Sequence, residues 1–202
     1  MGMKKVLLIG ASGTLGRAVQ ALLAPRYEVI AASRHDATHP ADLRDEASVL
    51  ALFERVGRLD AIVCTTGNVH FGPLAQMTAA QFDSGLQDKL LGQVRLALLG
   101  QRHLNDGGSI TLTTGILAEQ PIAQGVNATA VNAAVEGFVR AAACELPRGL
   151  RINAVSPTVL AEAWDAYADF FPGFEPVPAA RAALAFQRSI EGVQTGQIYK
   201  VW

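Results

Sequence analysis

The chain has 202 residues, half of them hydrophobic and 17% charged, which suits one sizeable core and excludes a disordered or low-complexity protein. Its 17 Lys and Arg against 18 Asp and Glu leave a net charge of −1, with neither sign in a long block, so the basic surface of a nucleic-acid binder is missing. No apolar run reaches the ~18 residues of a membrane span, and Met1–Lys5 with the short apolar run after it makes no signal peptide. The two cysteines, Cys64 and Cys144, read as small core residues of a reducing, cytoplasmic setting.

Short apolar runs alternate with longer helical stretches. Lys4–Ile9 reads as the first strand, bounded by Gly10, and Thr14–Ala24 as a helix with Leu15, Ala18, Val19, Leu22 and Leu23 at helical spacing before Pro25. Tyr27–Ala32 is the next strand. Between Ser33 and Ala41 lies only a polar loop, with no room for a crossover helix. A strand near His39–Leu43 would therefore pair through a loop, and Pro40 would confine it to a sheet edge. Asp45–Val56 reads as a helix and Asp60–Cys64 as a strand. Thr78 and Gln81 form a capping box that opens one long helix to about His103, tolerating Gly85 and Gly92. Asn105–Gly108 reads as a turn, Ser109–Thr113 as a strand, and Val126–Glu145 as an Ala-rich helix ended by Pro147. Arg151–Val155 and Gln197–Val201 are further strands. Between them lie an aromatic, Pro-rich segment from Trp164 to Pro178 and a helix over Ala179–Ile190.

Strands of near-continuous Val, Ile and Leu character are buried on both faces, as in a parallel sheet covered by helices. The expectation is a single domain over residues 1–202, of α/β class. It is a Rossmann-type, doubly wound parallel sheet of six or seven strands.

Gly10-Ala-Ser12-Gly13-Thr14-Leu15-Gly16 follows the first strand and opens the first helix. In a dinucleotide site the first glycine permits the tight turn, the second lets backbone approach pyrophosphate, and the third lets helix and strand pack closely. The helix N-terminus adds free N–H groups and a positive dipole. A plain tight β–α turn is the alternative.

From this turn onward the chain resembles the short-chain dehydrogenase/reductase family over nearly its whole length. Gly10–Gly16 looks like the family's glycine motif with the middle glycine one place early. Asp42-Leu43 matches the step that holds the adenine, and Cys64-Thr65-Thr66-Gly67 stands where the family has Asn-Asn-Ala-Gly. Ala133–Phe138 is similar to the helix after the catalytic tyrosine motif. Arg151–Pro157 matches the strand before the nicotinamide-binding turn, here Pro157-Thr158-Val159, and Thr195-Gly196-Gln197 the start of the last strand. The resemblance implies that these turns bind a nicotinamide cofactor and that no metal is required.

The second strand ends in Ala32-Ser33-Arg34-His35, with no carboxylate before Asp36. An acidic residue there would hold the ribose 2′-OH of NAD. Ser33 and Arg34 suit a 2′-phosphate instead, so NADP(H) is expected, against the plainer reading of a solvated surface loop.

The resemblance also implies a catalytic Tyr, a Lys four residues later, a Ser and an Asn. Aligned on Ala133–Phe138, Ala128 takes the Tyr place and Asn132 the Lys place, while Thr114 stands for the Ser and Lys89 for the Asn. The Tyr-x-x-x-Lys pair is absent. Lys89 and Asn132 have exchanged places, which keeps a cation beside the ribose, and Thr114 retains a hydroxyl. His70, Glu119 and Tyr167 are candidate proton donors, each equally readable as an ordinary surface or packing residue. The Trp164–Phe174 aromatics wall an apolar pocket, fold onto the body, or form a subunit contact.

Two functions of different class follow. One is an NADP(H)-dependent oxidoreductase for a small, apolar carbonyl or alcohol. The other is a non-catalytic NADP(H)-binding redox sensor or scaffold protein. The helices Gln81–His103 and Val126–Glu145 pair between subunits in the family and carry apolar residues on more than one face, so a homodimer or homotetramer is expected.

Overall fold

The computed structural model describes residues 2–36 and 38–202. Met1, at the head of the stretch judged too short for a signal peptide, and Ala37, in the polar loop, lie outside the described residues. Six strands form one parallel sheet: β1 (Lys5–Ile9), β2 (Glu28–Ala32), β3 (Leu59–Cys64), β4 (Leu104–Thr113), β5 (Arg151–Pro157) and β6 (Ile198–Val201), in the order β2-β1-β3-β4-β5-β6. The chain runs from β1 to one side and then crosses to the other, which makes the end of β1 a topological switch point. The sheet is doubly wound, as the strand pattern requires.

Period-two alternation divides the core. Leu7 and Ile9 of β1 join Ile62, Ile110, Ile152 and Ala154 under α2 (Glu46–Val56), α4 (Gly92–Gly100) and α5 (Val126–Ala142). Val6 and Leu8 face the other way, with Ala61, Val63 and Val155, under α1 (Thr14–Leu23) and α7 (Ala179–Glu191). A strand with helices on both faces must be apolar at every position, which is why these strands read as continuous runs. A third cluster gathers Ile116, Leu117, Ala128, Val159 and Phe171 with the aromatics of 164–174, which contain a short helix, α6 (Trp164–Tyr167).

Several sequence-based boundaries change. His39–Leu43 forms no strand; a single parallel bridge joins Ser33 to Pro40, because proline has no N–H with which to extend a ladder. Among the described residues no helix intervenes between β2 and Asp45, in line with the short polar loop. The long helix from Thr78 is not uniform. Its capping box is present, but α3 (Ala79–Gly85) passes into a π-helical turn over Leu86–Leu91 before α4. The turn at Asn105–Gly108 lies inside β4 as a bulge, since the register passes from Leu59↔Leu104 to Ala61↔Ser109 and Gly107 adopts φ +74°. α5 stops at Ala142 rather than Glu145. The remaining ends move by one or two residues.

Candidate functional site

The first cavity, about 480 Å³, opens at the switch point beyond the ends of β1, β2 and β3. Its lining includes Gly10, Ser12, Gly13, Ser33, Arg34, Asp42, Leu43, Thr65 and Thr66. Gly10 adopts φ +86°, a left-handed conformation, and a Cβ on it would lie 2.9 Å from Thr65 Oγ1. A Cβ on Gly16 would overlap the Gly10 carbonyl, so α1 can start this close to β1 only with glycine there. Gly13 caps α1 without a side-chain hydrogen bond, so no capping side chain takes up the first-turn amides. Thr65 ties the opposite wall to β1, its amide donating to Ile9 O at 2.9 Å and its hydroxyl at 3.0 Å.

The cavity's far end carries charge. Arg34 is exposed and has no ion-pair partner among the described residues. Asp42 accepts four hydrogen bonds from Arg44, including one from Nη2 at 2.6 Å, and these hold its carboxyl down at about 2. A glycine turn, an open helix N-terminus and a free guanidinium fit the phosphates of a dinucleotide. Of the other residues expected here, Thr14 and Gly16 are not among the lining residues, and the Leu15 side chain is buried in the core.

The second cavity, about 230 Å³, brings together Lys89, Thr114 and Asn132 with Pro157, Thr158 and Val159. Apolar and aromatic side chains complete it, among them Val69, Phe71, Ile116, Ala128, Tyr167 and Phe171. The π turn joins the two cavities: Asp88 lines the first and Lys89, the next residue, the second. π turns add a residue to a helical turn and often mark functional sites. Gln93 anchors the following helix to β4, its amide donating to Thr113 O at 2.9 Å and its Oε1 accepting from Thr113 N at 2.8 Å.

Lys89 is 9% exposed, and its Nζ donates to Thr114 O at 3.3 Å. Burial pulls its ammonium down to about 8. Gly67, at φ +137°, closes over its stem: a Cβ there would lie 2.5 Å from Lys89 Cγ. Burial also pushes the neighbouring Cys64 thiol up to about 12. Asn132 Oδ1 and Thr158 Oγ1 are buried and have no hydrogen-bond partner among the described residues. An unmet acceptor beside an unmet hydroxyl fits a ligand with amide or hydroxyl groups.

Thr114 lines the cavity, but its hydroxyl donates to Glu136 Oε1 at 3.1 Å. Glu136 is 3% exposed, and burial raises its carboxyl against the opposing pull of Thr114 and of Arg140, 3.6 Å away. Sequence reasoning missed this carboxylate, although Asn132 and Glu136 are one helical turn apart and share a face. The position that faces Asn132 is Gly115, where a Cβ would stand 3.4 Å from Asn132 Nδ2.

Of the three candidate proton donors, only Tyr167 reaches the cavity. His70 binds through its backbone, its amide donating to Asn127 Oδ1 at 2.8 Å, and Glu119 pairs with Lys200 at 2.6 Å on the surface. The aromatic segment both walls the cavity and folds onto the body: Tyr167 and Phe171 line it, while Phe170 and Tyr167 pack on Phe71.

The family described as enoyl-(acyl carrier protein) reductase matches residues 7–195. The hydroxynaphthalene reductase arp2 of Aspergillus fumigatus is 29% identical over 130 residues, covering 61% of this chain, and the chain spans only 48% of that relative's length. An uncharacterized oxidoreductase of Mycobacterium tuberculosis is 26% identical over 185 residues, 79% of this chain and 68% of the relative. Among solved structures, the protein lin1944 from Listeria innocua is 50% identical over the whole of both chains, with a TM-score of 0.97. A small-chain dehydrogenase in complex with NADPH is 28% identical, covers 99% of this chain and 97% of its own, and has a TM-score of 0.88. Since the family match runs from within β1 to the turn before β6, this chain belongs to the short-chain dehydrogenase/reductase family.

Proposed function

We propose that the chain is a single-domain, NADP(H)-dependent short-chain oxidoreductase acting on a small, apolar carbonyl or alcohol. The observation that carries this reading is the junction of two cavities at the π turn: a charged one with a glycine turn, and an apolar one holding Lys89, Asn132 and Thr114. Gly10, Ser12, Gly13 and the first-turn amides of Thr14, Leu15 and Gly16 hold the pyrophosphate; Ser33 and Arg34 hold the 2′-phosphate. Asp42 and Leu43 hold the adenine, and Thr65, Thr66 and Gly67 form the wall opposite. Pro157, Thr158 and Val159 hold the nicotinamide end. The bound cofactor supplies or accepts the hydride. Lys89 and Asn132, in exchanged positions, keep a cation and an amide at the inner end, and the lid aromatics exclude water and select an apolar substrate.

NADPH and NADH titrations followed by cofactor fluorescence test the cofactor assignment, and NADPH consumption over a panel of aldehydes and ketones tests turnover. Tight NADPH binding with turnover of apolar carbonyls is expected. Equal affinity for the two cofactors removes the role of Arg34.

A second reading, a non-catalytic NADP(H)-binding sensor, draws on one arrangement: Ala128 offers the cavity only a methyl group, and the Thr114 hydroxyl is directed at Glu136. NADPH binding without turnover of any carbonyl selects it. The exposed Ala133, Ala134, Gly137 and Leu98 on α5 and α4 support pairing between subunits as a homodimer or homotetramer. A monomer in sedimentation at micromolar concentration refutes that. Cys64 is buried as expected, but Cys144 is exposed at the surface rather than a core residue; both are free, which supports a reducing, cytoplasmic setting.

A further inference from the structure

We propose that Lys89 is the general acid of the apolar cavity and delivers the proton that a carbonyl oxygen takes up on reduction. This rests on the oxidoreductase reading above and names the donor that reading lacks.

Position is the first ground. The π turn directs Lys89 into the apolar cavity, and Gly67 clamps its stem, so the head group is held rather than free to swing to solvent. Hydrogen bonding is the second. An ammonium has three N–H donors, and the only acceptor Lys89 meets among the described residues is Thr114 O, at 3.3 Å. Among the described residues no carboxylate forms an ion pair with it. Asp88 accepts from Asn68 Nδ2 at 3.0 Å, and Glu136 is engaged by Thr114 and Arg140. Donors therefore remain for a ligand.

The other lining groups make the third ground. Ala128 and Gly115 carry no proton to give, and the Thr114 proton is directed at Glu136. Thr158 and Asn132 offer hydrogen bonds, but neither a hydroxyl nor an amide ionises near neutrality. Tyr167 stands on the lid, 40% exposed. A general acid works best with its pKa near the working pH, and burial brings Lys89 into that range.

The proton balance is simple. As the carbonyl carbon receives the hydride, one N–H bond of Lys89 breaks and an O–H bond forms on the carbonyl oxygen. The neutral amine regains its proton from water. Reduction therefore needs the ammonium and slows as pH rises through the Lys89 pKa, while alcohol oxidation needs the amine and speeds up. Of the titratable groups around Lys89, Cys64 from β3 is its electrostatic neighbour and Tyr167 from the lid lines the same cavity, while Asp88 lines the other cavity and Glu136 from α5 is bonded to Thr114.

The test uses the full chain with NADPH and a reducible apolar aldehyde, alongside NMR of the lysine Nζ groups across pH without cofactor. One Nζ resonance, assigned by its loss in Lys89→Met, should titrate well below the ordinary lysine value. Lys89→Ala should lose ~10²–10⁴-fold in rate. Added ethylamine should restore part of that loss, with the pH profile now following the added amine. In Tyr167→Phe the alkaline fall should remain where it is in the unmodified protein. An Nζ at the ordinary value, turnover kept by Lys89→Ala, or an alkaline fall abolished by Tyr167→Phe overturns this proposal alone. NADPH binding with no turnover overturns it together with the oxidoreductase reading.

Discussion

The two cavities lie on either side of one helical turn and are built on opposite principles. The first is lined by glycines, hydroxyls and charges on loops at the strand ends, where backbone makes the site. The second is a pocket of aliphatic and aromatic side chains with a few buried polar groups, and there side chains make the site. Backbone sites depend on the absence of atoms, so local sequence reveals them. Side-chain sites depend on what residues far apart in the chain present to one another.

The largest expected effect separates the two principles. Gly16→Ala places a methyl group on the Gly10 carbonyl, and both are backbone, so α1 must leave β1. Overpacking of this kind costs about 1–3 kcal/mol or more. The denaturant midpoint should fall and NADPH binding should vanish with it. A variant that keeps both would mean that the turn tolerates a wider approach.

Lys89→Met probes the side-chain cavity and should raise stability. Burial holds the folded pKa at about 8, below the 10.5 of a free lysine, so the unfolded chain binds the extra proton between these values. The stability that this residue contributes is therefore complete above pH 10.5 and is lost as pH falls through about 8. Removing the charge should gain about 1–3 kcal/mol below pH 8, a gain that fades toward pH 10.5. Urea melts at pH 7 and pH 10 check it; an equal gain at both would assign the effect to packing. A stabler protein with a lost function is the usual signature of a working site.

Arg34→Ala tests the polar cavity's far end. A charge-assisted contact contributes about 1.5–3 kcal/mol, so NADPH affinity should drop ~10–100-fold while NADH affinity stays. The smallest effect is expected from Asp42→Asn. Its pair with Arg44 is partly exposed, so little stability depends on it. What there is should be present above about pH 4 and disappear as pH falls through about 2, because the folded pKa is depressed. Acid titration of the thermal midpoint, variant against unmodified protein, measures it.

The sequence by itself determined the α/β class, the parallel sheet, the glycine turn and the loop connection that leaves no helix between β2 and α2 among the described residues, because strand burial on both faces, tight turns and connection length are all local properties. It also placed the capping box at Thr78 and the convergence of Lys89, Thr114 and Asn132 on one cavity, the latter through resemblance. Only the tertiary structure decided the rest. The π turn has no signature at Leu86–Leu91; it arises where Lys89 and Gln93 must both reach the end of β4. The bulge at Asn105–Gly108 depends on the partner strand's register rather than on its own turn residues. The Thr114–Glu136 contact joins residues 22 apart, and which way a strand-end hydroxyl turns is settled by the helix packed over it. Whether a lysine in an apolar stretch reaches solvent or stays buried depends on what covers it, and here that is Gly67, a residue from another strand's end.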